Sequence, residues 1–575
     1  MSGTGGTDEQ SAEVYVSDEK ERYPVSTYTP VAYDNLRTGP ETTDTPDAES
    51  GGRFKQIDLP KVPRLRHIVG PSAIMLGASI GSGETLFWPQ LVARYGWGLY
   101  WLFIVAVCIQ FVVNTEIQRW TLATGESIFR AFERVHPVVP LAMLVGGFVS
   151  LGWPGWAASA AQIGAEGLAL GTYNLAGLEL AGWRLFGIVL MVGIWLTYQL
   201  APLMYNVVES IQIVLVTLSI AFTLLLFALI GSTDVLLNIP GSVTDIGRDA
   251  PAGSIAVLVG ALAYAGAGGY LNLSQSLWIR EKGYGMGRYQ GRIKNPFAGD
   301  DPETVHETGF TFPPDRTNLD RWRGWWRVTQ LEHLLTFLSG LIVVTTALVV
   351  IAVSLAPGTE LGAVDMWLVQ IAPASGGLTT GVIYVTLFLA LFTTEYAIVE
   401  SFVRNSSDII YELYGREAGW RLPRLFWGLL TVFCAWGVLI LLLPIAIDDP
   451  FGLLVVGAAM SGLMMWPYIV VVQLVNTVRL PEHTMPGWGR VVSMWVAAAF
   501  FGYFSVRLVG TGLATQFGVP VFAVRPGVVG SAPGGYGLWA VYGAVQLYTM
   551  YRVGRAKIAA SGTVDGAERA RGRFP

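Results

Sequence analysis

Gly77-Ala-Ser-Ile-Gly81-Ser82-Gly83-Glu84-Thr85 interrupts the first long apolar stretch of the chain. Three glycines and three hydroxyl residues within nine positions weaken a helix: each glycine costs about 1 kcal/mol relative to alanine, and hydroxyls compete for backbone bonds. In hydrocarbon the freed backbone groups need partners, so such a break persists only when buried in protein or lining a cavity. A second interruption, Gly260-Ala-Leu-Ala-Tyr-Ala-Gly266-Ala267-Gly268-Gly269-Tyr270, falls in the sixth apolar stretch and is followed by Asn272, Ser274, Gln275 and Ser276. The two breaks are five segments apart. Five is odd, so the second half enters the membrane from the opposite face, and segments one to five and six to ten read as inverted repeats whose breaks face each other near mid-membrane.

The rest of the chain agrees. Of 575 residues, 52% are hydrophobic and 14% charged, with mean hydropathy +0.48, whereas soluble domains carry about 25% charged residues. Apolar segments begin near Ile68, Gly98, Val138, Leu185, Val207, Ser254, Val328, Gly377, Leu425, Gly452, Val491 and Gly537. This predicts an all-α polytopic membrane protein of about twelve transmembrane helices, a 5+5 inverted repeat with broken first and sixth helices. Residues 1–60 read as a disordered cytoplasmic tail, 61–235 as the first repeat, and 250–480 as the second, with a long cytoplasmic loop at 281–327. Two additional helices occupy 488–556, and 557–575 form a second cytoplasmic tail.

Basic residues cluster between helices on one side: Lys55 to Arg66, Arg119 to Arg134, Arg280 to Arg327, Arg404 to Arg424, Arg479, Arg490 and Arg552 to Lys557. The other side receives Arg94, Arg184, Arg248, Arg507 and Arg525. The positive-inside rule then places both termini in the cytoplasm of a cell with this chain in its plasma membrane. No positively charged start followed by an apolar stretch marks a cleaved signal. The net charge of -5 gives no sign of nucleic-acid binding. Cys108 and Cys434 both lie in apolar runs, and His67, His136, His306, His333 and His483 lie in loops or at helix ends, so neither a disulfide framework nor a cysteine metal site is expected. His306-Glu307 lacks the second histidine of a zinc-protease motif, and no repeated filter suggests a channel. What remains is a secondary transporter, with the bilayer and its cargo as partners and neither a resident cofactor nor an obligate protein partner expected.

The expected substrate-binding residues are Gly81, Ser82, Gly83 and Glu84 on the first break, Ala267, Gly268, Gly269, Tyr270 and Asn272 on the second, and Ser461 on the tenth segment. Glu84 is the one acid on either break. It either binds a metal ion or proton, as intramembrane acids do by default, or complements the positive end of a half-helix that Ser82 caps. Glu116, Thr393, Thr394 and Glu395 are candidates for a coupling-ion or proton path, although Glu116 is also placed to pair with Arg119, and membrane threonines often bond their own backbone.

Gly70-Pro71-Ser-Ala-Ile-Met-Leu-Gly-Ala-Ser-Ile-Gly81-Ser-Gly83-Glu84, then Tyr95-Gly96-Trp97 and Leu122-Ala123-Thr124-Gly125, resemble the opening helices of the Nramp family of divalent-metal transporters, which share the LeuT-type inverted-repeat fold. The resemblance spans residues 68 to about 480. The family's Asp-Pro-Gly-Asn falls on Gly81, Ser82, Gly83 and Glu84, its Met-Pro-His on Ala267, Gly268 and Gly269, and a metal-site glutamine on Ala459. The thioether that favours transition metals is therefore missing from the sixth helix. The resemblance implies alternating-access transport of a divalent cation, Mn²⁺ or Mg²⁺ in type, coupled to H⁺ or Na⁺, since Thr393 and Thr394 resemble the sodium-binding hydroxyls of LeuT-type transporters. The alternative is a symporter of a small organic solute, such as an amino acid, on the same fold.

Overall fold

The computed structural model describes residues 55–63, 70–175, 177–199, 204–239, 254–294, 296, 305–306, 308–312, 316–443, 449–481, 483–517 and 535–560. Of the expected tails at 1–60 and 557–575, residues 1–54 and 561–575 lie outside the described residues, as do His67, Arg248 and Arg525.

Helix α1 (Pro71–Ser79) opens with proline, whose missing N–H would be unpaired at that position anyway. It is followed after the first break by α2 (Trp88–Tyr95). Then come α3 (Tyr100–Thr124), α4 (Val138–Leu151), α5 (Gly155–Gly167), α6 (Gly182–Thr197) and α7 (Met204–Ile230). The second repeat contains α8 (Ile255–Ala263), α9 (Gly269–Lys282), α10 (Arg316–His333), α11 (Ser339–Leu355), α12 (Gly377–Ile410), α13 (Leu422–Leu442) and α14 (Pro450–Leu474). Helices α15 (Trp488–Phe517) and α16 (Gly535–Ala560) pack on each other outside it. Each of the twelve segments read from the sequence is helical. Among the described residues, eight spans are long and apolar enough to cross a bilayer, with α4 joined to α5 and α10 joined to α11 in single spans. The broken pairs α1/α2 and α8/α9 fall outside that set because each half is too short.

Burial follows a membrane solvent. Outward residues such as Val189, Val214, Leu335 and Val369 are apolar and exposed, while Asn114, Glu116, Arg119, Asn272, Glu400 and Arg404 are inside. Hydrocarbon accepts the former and not the latter. The 34-residue α12 lies at the centre, against α1, α5, α7, α9 and α13.

Boundaries differ from the sequence reading in three places, and the last is that α16 runs to Ala560, past residue 557 where the sequence reading begins the second tail. Lys55–Gln56 pairs in parallel with Phe310–Thr311, and Asn318 accepts from the Leu59 N–H at 2.8 Å and donates to Asp58 at 3.0 Å. The end of the segment read as a tail is therefore folded onto α10. The connection read as 281–327 is also shorter, because α9 runs to Lys282 and α10 begins at Arg316. The arginines of α10 depress its hydropathy, but Trp322, Trp325 and Trp326 are spaced for one helical face and are buried.

Candidate substrate site

At the first break only Ile80 and Gly81 leave the helix. Gly83–Phe87 form a π turn that leads into α2, so Gly83, expected to be unwound, is helical. A π turn keeps backbone groups paired internally while shifting the register, and such turns are frequent at functional sites. Ser79 donates its hydroxyl to the Met75 carbonyl at 2.7 Å, and Thr85 donates to that of Gly81. The Gly81 carbonyl also receives the Thr85 N–H at 3.2 Å, so these hydroxyls bond back onto their own helix, as membrane hydroxyls commonly do.

The second break runs from Tyr264 to Gly268, and Gly269 already begins α9. Gly268 and Gly269 have φ of 68° and 50°, the left-handed region that glycine enters without penalty. The carbonyls at the end of α8 are held from α3, where the Gln110 amide donates to Leu262 at 2.9 Å and to Ala263 at 2.7 Å. Gln110 also accepts from Asn272 at 3.2 Å, and Asn272 donates to the Tyr468 hydroxyl at 2.8 Å.

The two breaks touch. A Cβ placed on Gly83 would lie 2.0 Å from the Tyr264 carbonyl oxygen, so only glycine permits this backbone approach. Trp156 of α5 bridges them: its ring lies 5.1 Å from that of Tyr264, and its N–H donates to Ser82 Oγ at 3.0 Å. Ser82 therefore receives a hydrogen bond from Trp156 and does not cap the half-helix, which carries no side-chain cap. Ser461 of α14 closes the group, with its backbone against Gly269 and its hydroxyl 3.5 Å from that of Tyr264.

Glu84 sits in the first turn after the first break and has no exposed surface. Among the described residues it is the one buried acid whose two carboxylate oxygens both lack a hydrogen-bond partner. A buried ionised carboxylate without compensation costs several kcal/mol, so this position calls for a cation or a proton. Among the described residues no group of three or more His, Cys, Asp or Glu side chains surrounds it or any other point. A cation at Glu84 would complete its shell from backbone carbonyls, hydroxyls and water.

The other candidates divide. Thr394 belongs to the site: its hydroxyl donates to the Gly77 carbonyl at 3.2 Å, and Gly81 packs directly on it. Thr393 donates to Leu389 in its own helix at 2.6 Å. Glu395 accepts from the Ala157 N–H at 3.0 Å, an unpaired donor in the first turn of α5. Tyr264 lies within electrostatic reach of both Glu395 and Glu84. Glu116 is held by Arg119 at 2.8 Å and Arg490 at 2.7 Å, as the pairing reading expects. Tyr270 packs its ring on Gly147 and places its hydroxyl 3.4 Å from Ser406, turned toward α12. Met465 places its sulfur 3.1 Å from the Gly269 N–H and 2.9 Å from the Tyr468 hydroxyl. A thioether therefore does stand at the second break, supplied by α14, with its acceptor capacity already engaged.

Gln110, Trp156, Tyr264, Met465 and Tyr468 escaped the sequence reading. Gln110 offered a signal, being a lone amide in the apolar run Leu99–Val113. The others are ordinary membrane-helix residues until the fold assembles them. At the charged end of α1, the Ser72 N–H donates to Glu332 at 3.0 Å, and the Ser72 hydroxyl lies 2.9 Å from His333 Nδ1. Nearby, Arg404 joins Glu400 and Glu281 in a fully buried group, tying α12 to α9.

Two apposed broken helices, one from each half of an all-α membrane bundle, define the LeuT-type transporter fold. The chain is similar to a manganese transporter of Eremococcus coleocola solved with an aromatic bis-isothiourea substituted compound: TM-score 0.59, 12% identity, covering 87% of this chain and 97% of that one. A mutant of the same transporter gives a TM-score of 0.58 at the same identity and coverage. MhsT in complex with L-phenylalanine gives 0.45 at 13% identity, covering 78% of this chain and 99% of that one. No sequence family matches the chain, and no curated protein matches it. The likeness is one of fold.

Proposed function

We propose that the chain is a secondary-active transporter that moves a divalent cation of the Mn²⁺ or Mg²⁺ type by alternating access, with Glu84 as the charged group that meets it. The observation that carries this reading is the buried, unpartnered carboxylate where the two breaks touch. Gly81, Ala267, Gly268 and Gly269 add no side-chain ligands, and Met465 is engaged by protein donors. An ion there meets one carboxylate, carbonyl oxygens and water, a shell that suits hard cations retaining part of their hydration. The resemblance to a manganese transporter in fold is consistent with this cargo. Coupling is assigned to a proton shared with Glu395, or to Na⁺ at Thr394 beside the Gly77 carbonyl. The chain is placed in the plasma membrane with both termini cytoplasmic.

Calorimetry and uptake into reconstituted vesicles with Mg²⁺, Mn²⁺ and Cd²⁺ test the reading. Mg²⁺ and Mn²⁺ are expected to bind and enter, and Glu84→Gln to abolish most uptake in protein that still purifies as a folded species. Strong preference for Cd²⁺ over Mg²⁺ overturns the hard-cation assignment. Among the described residues no cluster of His, Cys, Asp or Glu side chains accompanies Glu84, which also suits a small organic solute whose own cationic group meets the carboxylate. That second reading takes over if no divalent ion binds.

A further inference from the structure

A cleft of about 550 Å³ opens between α3, α10 and α15, and its lining includes Phe111, Trp326, Arg327, Leu331, Leu334 and Arg490. It lies where lipid-facing helix gives way to charged helix. Leu334 and Leu335 are exposed apolar residues, whereas the preceding turns of α10 carry Arg316, Arg321, Arg323 and Arg327. Trp488, exposed at the start of α15, is the residue type that marks a membrane–water interface. By the distribution of basic residues, this is the cytoplasmic boundary.

The cleft has an excess of positive charge. Arg327 is exposed and makes neither an ion pair nor a hydrogen bond among the described residues. Arg490 donates through Nε to Glu116 at 2.7 Å and through Nη2 to Thr115 and the Val112 carbonyl, leaving Nη1 without a partner among the described residues. Glu116 is shared with Arg119, so this cluster holds one negative and two positive charges. Arg119 stacks at 3.8 Å on the ring of Trp326, itself a wall of the cleft.

A lipid with a cationic headgroup would bring like charge toward two arginines. One with a net negative headgroup supplies the missing counter-charge and covers the apolar wall with its chain. We propose that this cleft binds an anionic phospholipid, with its phosphate between Arg327 and Nη1 of Arg490 and an acyl chain over Phe111, Leu331 and Leu334. The bound lipid braces the junction of α3, α10 and α15, since Arg490 holds both Glu116 and the headgroup.

Native mass spectrometry of the full chain, exchanged in detergent against phosphatidylglycerol or phosphatidylcholine, tests this. Phosphatidylglycerol is expected to be retained at least tenfold more tightly. Arg327→Gln, at a position without protein partners, is expected to weaken it about fivefold, the contribution of one cation near a membrane surface, while the thermal melt of lipid-free protein stays unchanged. Phosphatidylcholine binding as tightly overturns the proposal, and so does an Arg327→Gln variant that retains phosphatidylglycerol like the parent. Millimolar inorganic phosphate displacing the lipid completely would make the cleft a free-anion site and equally overturn it.

Discussion

Gly83→Ala probes the contact on which the site rests. The added Cβ would fall 2.0 Å from the Tyr264 carbonyl oxygen, 2.6 Å from its carbonyl carbon and 2.9 Å from its Cβ. Two of these are backbone atoms, so no side-chain rotation relieves the clash. The breaks must move apart by about 1.4 Å to reach an ordinary 3.4 Å contact. Ligand distances in an ion site are held to about 0.2 Å, so the displacement exceeds what the site tolerates several-fold. Overpacking of this kind costs typically 1–3 kcal/mol, and a perturbation of that size in ion binding is a factor of about 5–150. Uptake into vesicles and calorimetric affinity are therefore expected to fall at least about fivefold, with a lower melting temperature in detergent. Gly428→Ala on α13, where an added Cβ meets nothing within 4 Å, is the control and is expected to transport like the parent. Parent-like affinity and melting in Gly83→Ala would show that the breaks do not touch as described.

Arg404→Met leaves Glu400 and Glu281 buried without their shared cation. Removing one partner of such a group costs about 3–5 kcal/mol, so the yield of folded protein on size-exclusion chromatography should collapse. Glu116→Gln leaves Arg119 and Arg490 facing each other, and a melting temperature lowered well below the parent's, without a change in the pH dependence of uptake, is the expected result; a shifted pH profile at unchanged melting would restore Glu116 to a proton path. Thr394→Val keeps the shape of the side chain but removes the donor to the Gly77 carbonyl. Uptake should lose its dependence on the coupling ion, and an identical Na⁺ and pH response in the variant would remove Thr394 from that role.

The number of helices, the two breaks and their placement in opposed halves were legible in the sequence because each is a local property. A spanning helix announces itself by about 20 apolar residues, and a break by glycines and hydroxyls where a helix should continue. Glu84 was legible for the same reason, being a charge inside an apolar stretch. What surrounds the two breaks was not legible. Gln110, Trp156, Tyr264 and Met465 come from four different segments, and only their packing turns an amide, an indole, a phenol and a thioether into the wall of one site. The roles of Ser82 and Glu116 were likewise decided by partners at positions 156 and 490. Hydropathy reports which residues leave water, and it carries no record of which of them meet. In a membrane nearly every helix is apolar all round, so the pattern that would show the inner face of a soluble helix is absent, and tertiary structure alone assigns each polar side chain its partner.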